Sequence, residues 1–558
     1  MESFQALRRR TTDLLQSLPQ SLPQSLPSPK SAVPTMRGTW EKVDLPPIPR
    51  SSHSVDVVAG SAYIFGGEIS PRKPVNSDVH VVNLPMSLTA SADAYPVKAT
   101  ASHQYLERDA ATAAKERAKE KDLTEVPLDA DDKVPEGESL LEGEETLPED
   151  ESQSLLEGND KGKGKEKALP EGPDLGDVPA PRVGHATAVI GSRIFMFGGR
   201  GGPDMAPLEE GGRVWVFDTR SHTWSFLDPT RAAAGIPARV PPARSYHSAA
   251  AVDRPRDFAH RRDPRPETWS DWAMGDVAKV GIPQAPIVGN VAANAVDEEG
   301  EGYGTFFVHA GCLADGSRAN DLWAFNVRSR IWSELPSAPG PARGGTAICA
   351  AKGKLYRFGG FDGKDEIGGQ VDFLHLAADV FDDAVSEGEV AVTSRGGWES
   401  LTPVSKSSGA AAGALDPDEW PVARSVAAML PLTIHNRDYL VLIMGERSNP
   451  GAGHEVAGKF LDDAWVFHVP TAVGPARSAA AVKDAMWGAV GWKTTGEGRW
   501  TKVLAEPFDD DESDELPVPR GWFGASVLEE LEEPAVVVWG GVGEGNERLG
   551  DGWILRLG

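Results

Sequence analysis

The chain has 558 residues, a formal net charge of −27 and only two cysteines, Cys312 and Cys349. A surface this acidic repels nucleic-acid phosphates and anionic membranes, so neither is an expected partner, and two cysteines cannot build a disulfide framework or a cysteine-rich zinc site. No apolar run is long enough to span a bilayer, and the expectation is a cytoplasmic monomer in a reducing compartment.

Residues 1–37, which include SLPQSLPQSLPSPK, read as an unstructured tail. Arg8, Arg9 and Arg10 suggest a transit peptide, but Glu2 and Asp13 weigh against it. From residue 38 a repeat takes over. An arginine after proline or a small residue recurs six times, in PRSSH (49–53), PRVGH (181–185), PARSYH (242–247), PARGGT (341–346), VARSVA (422–427) and PRGWF (519–523). Each copy leads to an apolar strand ending in glycine: YIFGG (63–67), IFMFGG (194–199), FFVHAG (306–311), LYRFGG (355–360), VLIMGE (441–446) and VVVWGG (536–541). A third strand follows with half-buried alternation: DVHVVN (78–83), RVWVFD (213–218), DLWAFN (321–326), VDFLHL (371–376), DAWVFH (463–468) and DGWILR (551–556). A fourth is marked by tryptophan in WSFL (224–227), WSEL (332–335), WESL (398–401) and WTKV (500–503). The first unit has only PVKATAS (96–102) for its fourth strand. The sixth ends at Gly558 without one, while a spare copy, TWEKV (39–43), stands at the front. The expectation is that Thr39–Val43 completes the C-terminal unit and closes the ring, removing an open strand edge.

Two segments interrupt the repeat. Residues 104–178 are rich in Glu, Asp, Lys, Ala and Gly and cannot bury enough apolar surface to offset ordering, although ATAAKERAKEKD (111–122) has the composition of a short helix. Residues 253–300 form a second insertion, where Trp269 and Trp272 are candidate anchors, and 402–418 a shorter one.

Four strands per unit, a glycine pair and aromatic marks resemble the kelch-repeat family. The resemblance implies an all-β fold, a six-bladed kelch β-propeller closed by its N-terminal strand over residues 38–558. Within that family the chain looks most like the plant nitrile-specifier and thiocyanate-forming group, through RSSHSVDVVAGSAYIFGGEISPRKPVNSDVHVVNL (50–84), PPARSYHS (241–248), PARGGTA (341–347), VDFLH (371–375) and ARSVAAM (423–429). That likeness implies iron(II) held by a Glu-x3-Asp-x3-His set and arginines near a substrate sulfate. Here the residue four on from Glu366 is Gln370, and Asp372 and His375 follow at other spacings.

Three places could carry chemistry. Arg50, Arg182, Arg244, Arg343, Arg424 and Arg520 hold equivalent positions; they either select a small anionic ligand in the axial cavity or hold inter-blade turns by bonding carbonyls. His53, His185 and His247 each lie three residues after a repeat arginine and could meet at a metal or serve packing. Glu366, Asp372 and His375 are a ligand set for iron or an acidic turn. A copper radical site needs a Tyr–Cys pair with histidines, and neither cysteine lies near such a set in sequence. No nucleophile elbow, phosphate loop or dinucleotide fingerprint occurs. The reading is a protein–protein interaction scaffold acting through its loop face and axial cavity rather than an enzyme; the alternative is an iron-dependent, specifier-like protein acting on a small sulfur-containing ligand.

Overall fold

The computed structural model describes residues 36–85, 90–102, 175–230, 238–253, 304–379, 391–403, 420–448, 458–470, 498–508, 516–531 and 534–558. The 111–122 segment, Trp269, Trp272 and nearly all of the three insertions lie outside these residues.

Among the described residues there is strand and no helix. The inner strands are Ser54–Val58, Ala186–Ile190, Ser248–Val252, Ala347–Ala351, Ala428–Ile434 and Gly524–Leu528. Each of the first five leads into an antiparallel meander of three or more further strands and the sixth into two, so the strands fall into six sets; in the fourth, Ala391–Ser394 and Glu399–Leu401 both pair with Val371–Asp379. Each inner strand packs against the inner strand of the next set, and the last packs against the first. The second strand of each set is buried through its apolar stretch on both faces, which is why VVVWGG and IFMFGG are apolar without alternation.

Two rings of backbone hydrogen bonds join the sets. The amide after the first glycine position donates to the next set's repeat-arginine carbonyl at all six junctions: Gly67 to Arg182, Gly199 to Arg244, Gly311 to Arg343, Gly360 to Arg424, Gly445 to Arg520 and Gly541 to Arg50, all at 2.9–3.0 Å. This approach explains the glycines. A Cβ on Gly359, whose φ is +71°, would stand 2.3 Å from the Arg424 carbonyl oxygen. The second ring runs through the residue two past each arginine. Trp522 donates to Val426, Val426 to Gly345, Gly345 to Tyr246, Tyr246 to Gly184, Gly184 to Ser52, and Ser52 back to Trp522. All six have positive φ, between 45° and 62°.

The N-terminal strand closes the sixth set as expected. Met36–Val43 begins ahead of Thr39 and pairs antiparallel with Arg548–Leu557, Lys42 opposite Trp553. Its other edge pairs in parallel with Trp500–Pro507 and fuses the fifth and sixth sets into one eight-stranded sheet, a link the repeat pattern did not signal. The first set's outer strand is Asp93–Val97, displaced toward the N-terminus from 96–102. Beyond it, Thr100 and Ser102 bond the backbone of Trp224 in the next set.

Candidate functional site

The six repeat arginines are buried, with relative exposures of 0–4%. Each Nη1 donates to a carbonyl at the glycine turn of its own set: Gly66, Gly198, Ala310, Gly359, Met444 and Gly540. Four also hold a carboxylate in a two-pronged ion pair: Arg182 with Glu210, Arg244 with Asp321, Arg424 with Asp463 and Arg520 with Asp551. Each of those carboxylates accepts a further bond from a tryptophan indole, of Trp215, Trp323, Trp465 and Trp553 in turn. Arg50 and Arg343 have no carboxylate partner among the described residues. Burial lowers both to about 10; for Arg343 the nearby Arg357 adds to the fall, and Asp372 and Asp362 oppose it only in part. The arginines are therefore spent largely on the turns and ion pairs of their own sets.

His53, His185 and His247 do not meet. Each packs its ring onto the first glycine of the neighbouring set: His185 on Gly66, His247 on Gly198, His53 on Gly540. Burial drives His53 and His247 down to about 3 and His185 well below its usual value, so all three are neutral packing groups.

Glu366, Asp372 and His375 are not brought together either. Asp372 and His375 lie three apart on the strand Val371–Asp379, which places them on opposite faces. Asp372 is 1% exposed and engaged by Arg357, Gln370 and Ser400. His375 faces Glu399 at 3.5 Å, and Glu366 sits in the preceding turn beside Ser425. The three do not fit the iron implied by the specifier resemblance, and among the described residues no group of three His, Cys, Asp or Glu side chains is placed to hold a metal.

What converges instead is a mouth at the loop face. Its floor is the second hydrogen-bond ring, where Tyr246 and Trp522 come from opposite sides of the propeller and meet edge to face, ring centroids 5.1 Å apart. This aromatic pair divides the axis. Below it a channel of about 1360 Å³ runs between the inner strands, past Asp56, Thr187 and Ala250. Above it a cavity of about 230 Å³ is walled by Phe361, Phe460, Val542, Cys312 and Glu446, with Arg200, Arg318 and Arg548 around it. The residue directly after each glycine turn bridges the residue after the repeat arginine, which sets Glu68, Arg200, Cys312, Phe361, Glu446 and Val542 in a ring at the mouth. No two neighbours in that ring share a chemistry, unlike the arginine and glycine rings beneath it.

The charges of the mouth are sorted. Arg200 lies 4.7 Å from the Tyr246 ring centroid and donates to the Ser245 hydroxyl; Arg318 lies 5.1 Å from the centroid of Phe361; Arg548 pairs with the buried Glu68 at 2.8 Å. Glu446 is 3% exposed, and burial lifts it to about 7 against a hydrogen bond from Trp522. Burial lifts Glu366 to about 8, with Glu446 and Asp362 adding repulsion. Cys312 and Tyr246, far apart in sequence, both line this cavity; burial pushes both upward, away from the ionised forms that redox or nucleophilic chemistry uses, and among the described residues no histidine lines it.

A family model described as the kelch motif matches residues 181–230, the whole of the second set with its arginine and glycine turn. Residues 181–230 thus carry a kelch motif. The chain is 28% identical over 197 residues to N-(sulfonatooxy)prop-2-enimidothioate sulfolyase of Thlaspi arvense, covering 33% of this chain and 53% of that protein. It is 27% identical over 219 residues to Kelch domain-containing protein 3 of Bos taurus, covering 35% of this chain and 51% of that protein. The matched region thus spans about half the length of each of these relatives. The solved structure of YjhT aligns with 92% of this chain and 99% of its own at 12% identity and a TM-score of 0.41.

Proposed function

We propose that this kelch protein is a binding module that docks a partner protein on its loop face, with one partner side chain entering the mouth. The carrying observation is the cavity above the Tyr246–Trp522 floor: it is lined from five of the six sets by residues that the repeat leaves free to vary. Variation confined to the mouth, over a scaffold whose other rings are uniform, is what a recognition surface requires. Photo-crosslinking from Phe361 and Asn546 at the mouth, compared with Lys352 and Glu529 at the far end of the channel, tests this. Adducts with a discrete partner are expected from the mouth positions. Equal or stronger adducts from the far end would move the docking site to the other face.

A second reading takes the mouth as the site of a small anionic ligand, favoured by the three arginines around it and by the sulfolyase relative. Saturable sulfate binding that is lost in Arg318→Gln would support it. The iron chemistry of a specifier does not follow, because Glu366, Asp372 and His375 do not share a site.

A further inference from the structure

Two carboxylates directly follow a glycine turn and enter the mouth ring, Glu68 and Glu446, and they are treated differently. Glu68 is 2% exposed and is neutralised by Arg548. Glu446 is equally buried and lines the cavity, yet no cation among the described residues pairs with it. The mouth arginines are turned to Tyr246, Phe361 and Glu68, and none contributes to the charge felt by Glu446. Space has been kept for the carboxylate: a Cβ on Gly458 would fall 1.7 Å from its Oε1. Next to it, both carboxylate oxygens of Glu366 are buried without a hydrogen bond of good geometry.

We propose that the mouth cavity is a receptor for one basic side chain of the partner, a guanidinium or ammonium that pairs with Glu446 against the Trp522 and Phe460 rings. The inference rests on the docking reading above and names what enters. Three observations carry it. A buried carboxylate lacking a cation is costly, and a cation supplied on binding recovers that cost, which selects for a positive group over a neutral one of the same shape. The walls are aromatic, and aromatic faces attract cations. The volume of about 230 Å³ lies below the range of about 300–1,000 Å³ usual for whole small-molecule ligands and suits a single side chain. The arginines border the cavity but hold other partners: Arg200 and Arg318 stand in the second and third sets across from Glu446, and Arg548, in the sixth, is balanced by Glu68.

The test uses the full-length protein and three capped amino acids: N-acetyl-arginine methylamide, N-acetyl-lysine methylamide and the neutral isostere N-acetyl-citrulline methylamide. Binding is read by saturation-transfer NMR and by Trp fluorescence. At least one basic probe should bind, with citrulline weaker by about tenfold or more, and Glu446→Gln should remove that preference. The citrulline comparison needs no variant, so a misfolded Glu446→Gln protein does not blunt it. Equal affinity for citrulline, retention of the arginine preference in Glu446→Gln, or no binding of either basic probe would each overturn the inference. Such failures leave the docking reading to be judged by the crosslinking pattern, which does not depend on the charge of the entering group.

Discussion

Arg244 and Arg343 provide an internal comparison, because they share every backbone bond and differ in one ion pair. Arg244→Met frees the carbonyls of Pro242 and Ala310 and strands Asp321; Arg343→Met frees only those of Pro341 and Gly359. Two lost hydrogen bonds cost about 2 kcal/mol in total. Stranding a partner of a fully buried pair costs about 3–5 kcal/mol, and Asp321, whose side chain is 20% exposed, should feel about half of that. Arg244→Met is therefore expected to destabilise by about 4 kcal/mol and Arg343→Met by about 2 or less, since the latter also removes a buried charge that has no direct ion pair. Adding Asp321→Leu to Arg244→Met should return about 1–2 kcal/mol. Urea unfolding, with hydrogen exchange of the third and fourth sets to localise the effect, measures all three. There is also a pH signature. Burial alone would raise Asp321, but the Arg244 hydrogen bonds and charge win and hold it below the usual carboxylate range. The stability it contributes is complete above the unfolded carboxylate value near 4 and is lost as pH falls through its lower folded value; Arg244→Met should flatten that acid limb. If the two arginine variants cost the same, the carboxylate adds nothing and the account of these modules is wrong.

Trp40 is 3% exposed and meets Trp553 edge to face at 6.5 Å, so Trp40→Ala should cost about 3–5 kcal/mol and lower the melting temperature; an unchanged melt would mean the closing strand is dispensable. Asp56 is lifted by burial to about 7 against a bond with Thr187, so it destabilises the fold as pH rises from about 4 to about 7, by at most about 4 kcal/mol. Asp56→Asn should remove that decline; a constant gap between the two proteins over this pH range would show that Asp56 ionises freely. His375 is one-third exposed and faces Glu399 and the Phe373 ring, so His375→Ala should change stability by less than about 1 kcal/mol and leave the iron content of anaerobically purified protein unchanged. A stoichiometric loss of iron would restore the metal reading.

The uniform parts of this molecule were legible because uniformity is what a repeat displays. The arginines, the glycine turns and the spare tryptophan strand at Trp40 each follow from six-fold recurrence, and each has a physical necessity: a carbonyl to bond, a backbone to pass, an edge to cover. The mouth was not legible for the converse reason. Ser52, Gly184, Tyr246, Gly345, Val426 and Trp522 share a backbone conformation but no chemistry, and so do the residues after the glycines. Only position marks them, and counting two past each arginine and one past each glycine turn would have found both rings. Glu366, Asp372 and His375 drew notice through proximity in sequence, which carries no weight once Val371–Asp379 is a strand: a separation of three then means opposite faces.

The two arginines without carboxylates also show what places the carboxylates. The four tryptophans that hold them stand at one register, opposite Met196, Val308, Leu442 and Val538 of their second strands. At that register the fourth set has Asp372, opposite Arg357, and the first has His80, opposite Ile64. In the fourth set the acid position is Gln370, and the charge pair has moved into the sheet as Arg357–Asp372. In the first set an acid is present, Asp78, yet it accepts bonds from Asn76 and the Ala99 amide and leaves Arg50 alone. The difference from Asp321, Asp463 and Asp551 is the missing indole two residues on, which in those sets donates to the carboxylate and holds it against the arginine. His80→Trp should supply that donor, draw Asp78 onto Arg50 and stabilise the protein by about 1 kcal/mol, with the gain abolished by Asp78→Asn. A stabilisation that survives Asp78→Asn would come from buried indole area alone and would refute the positioning role of the tryptophan.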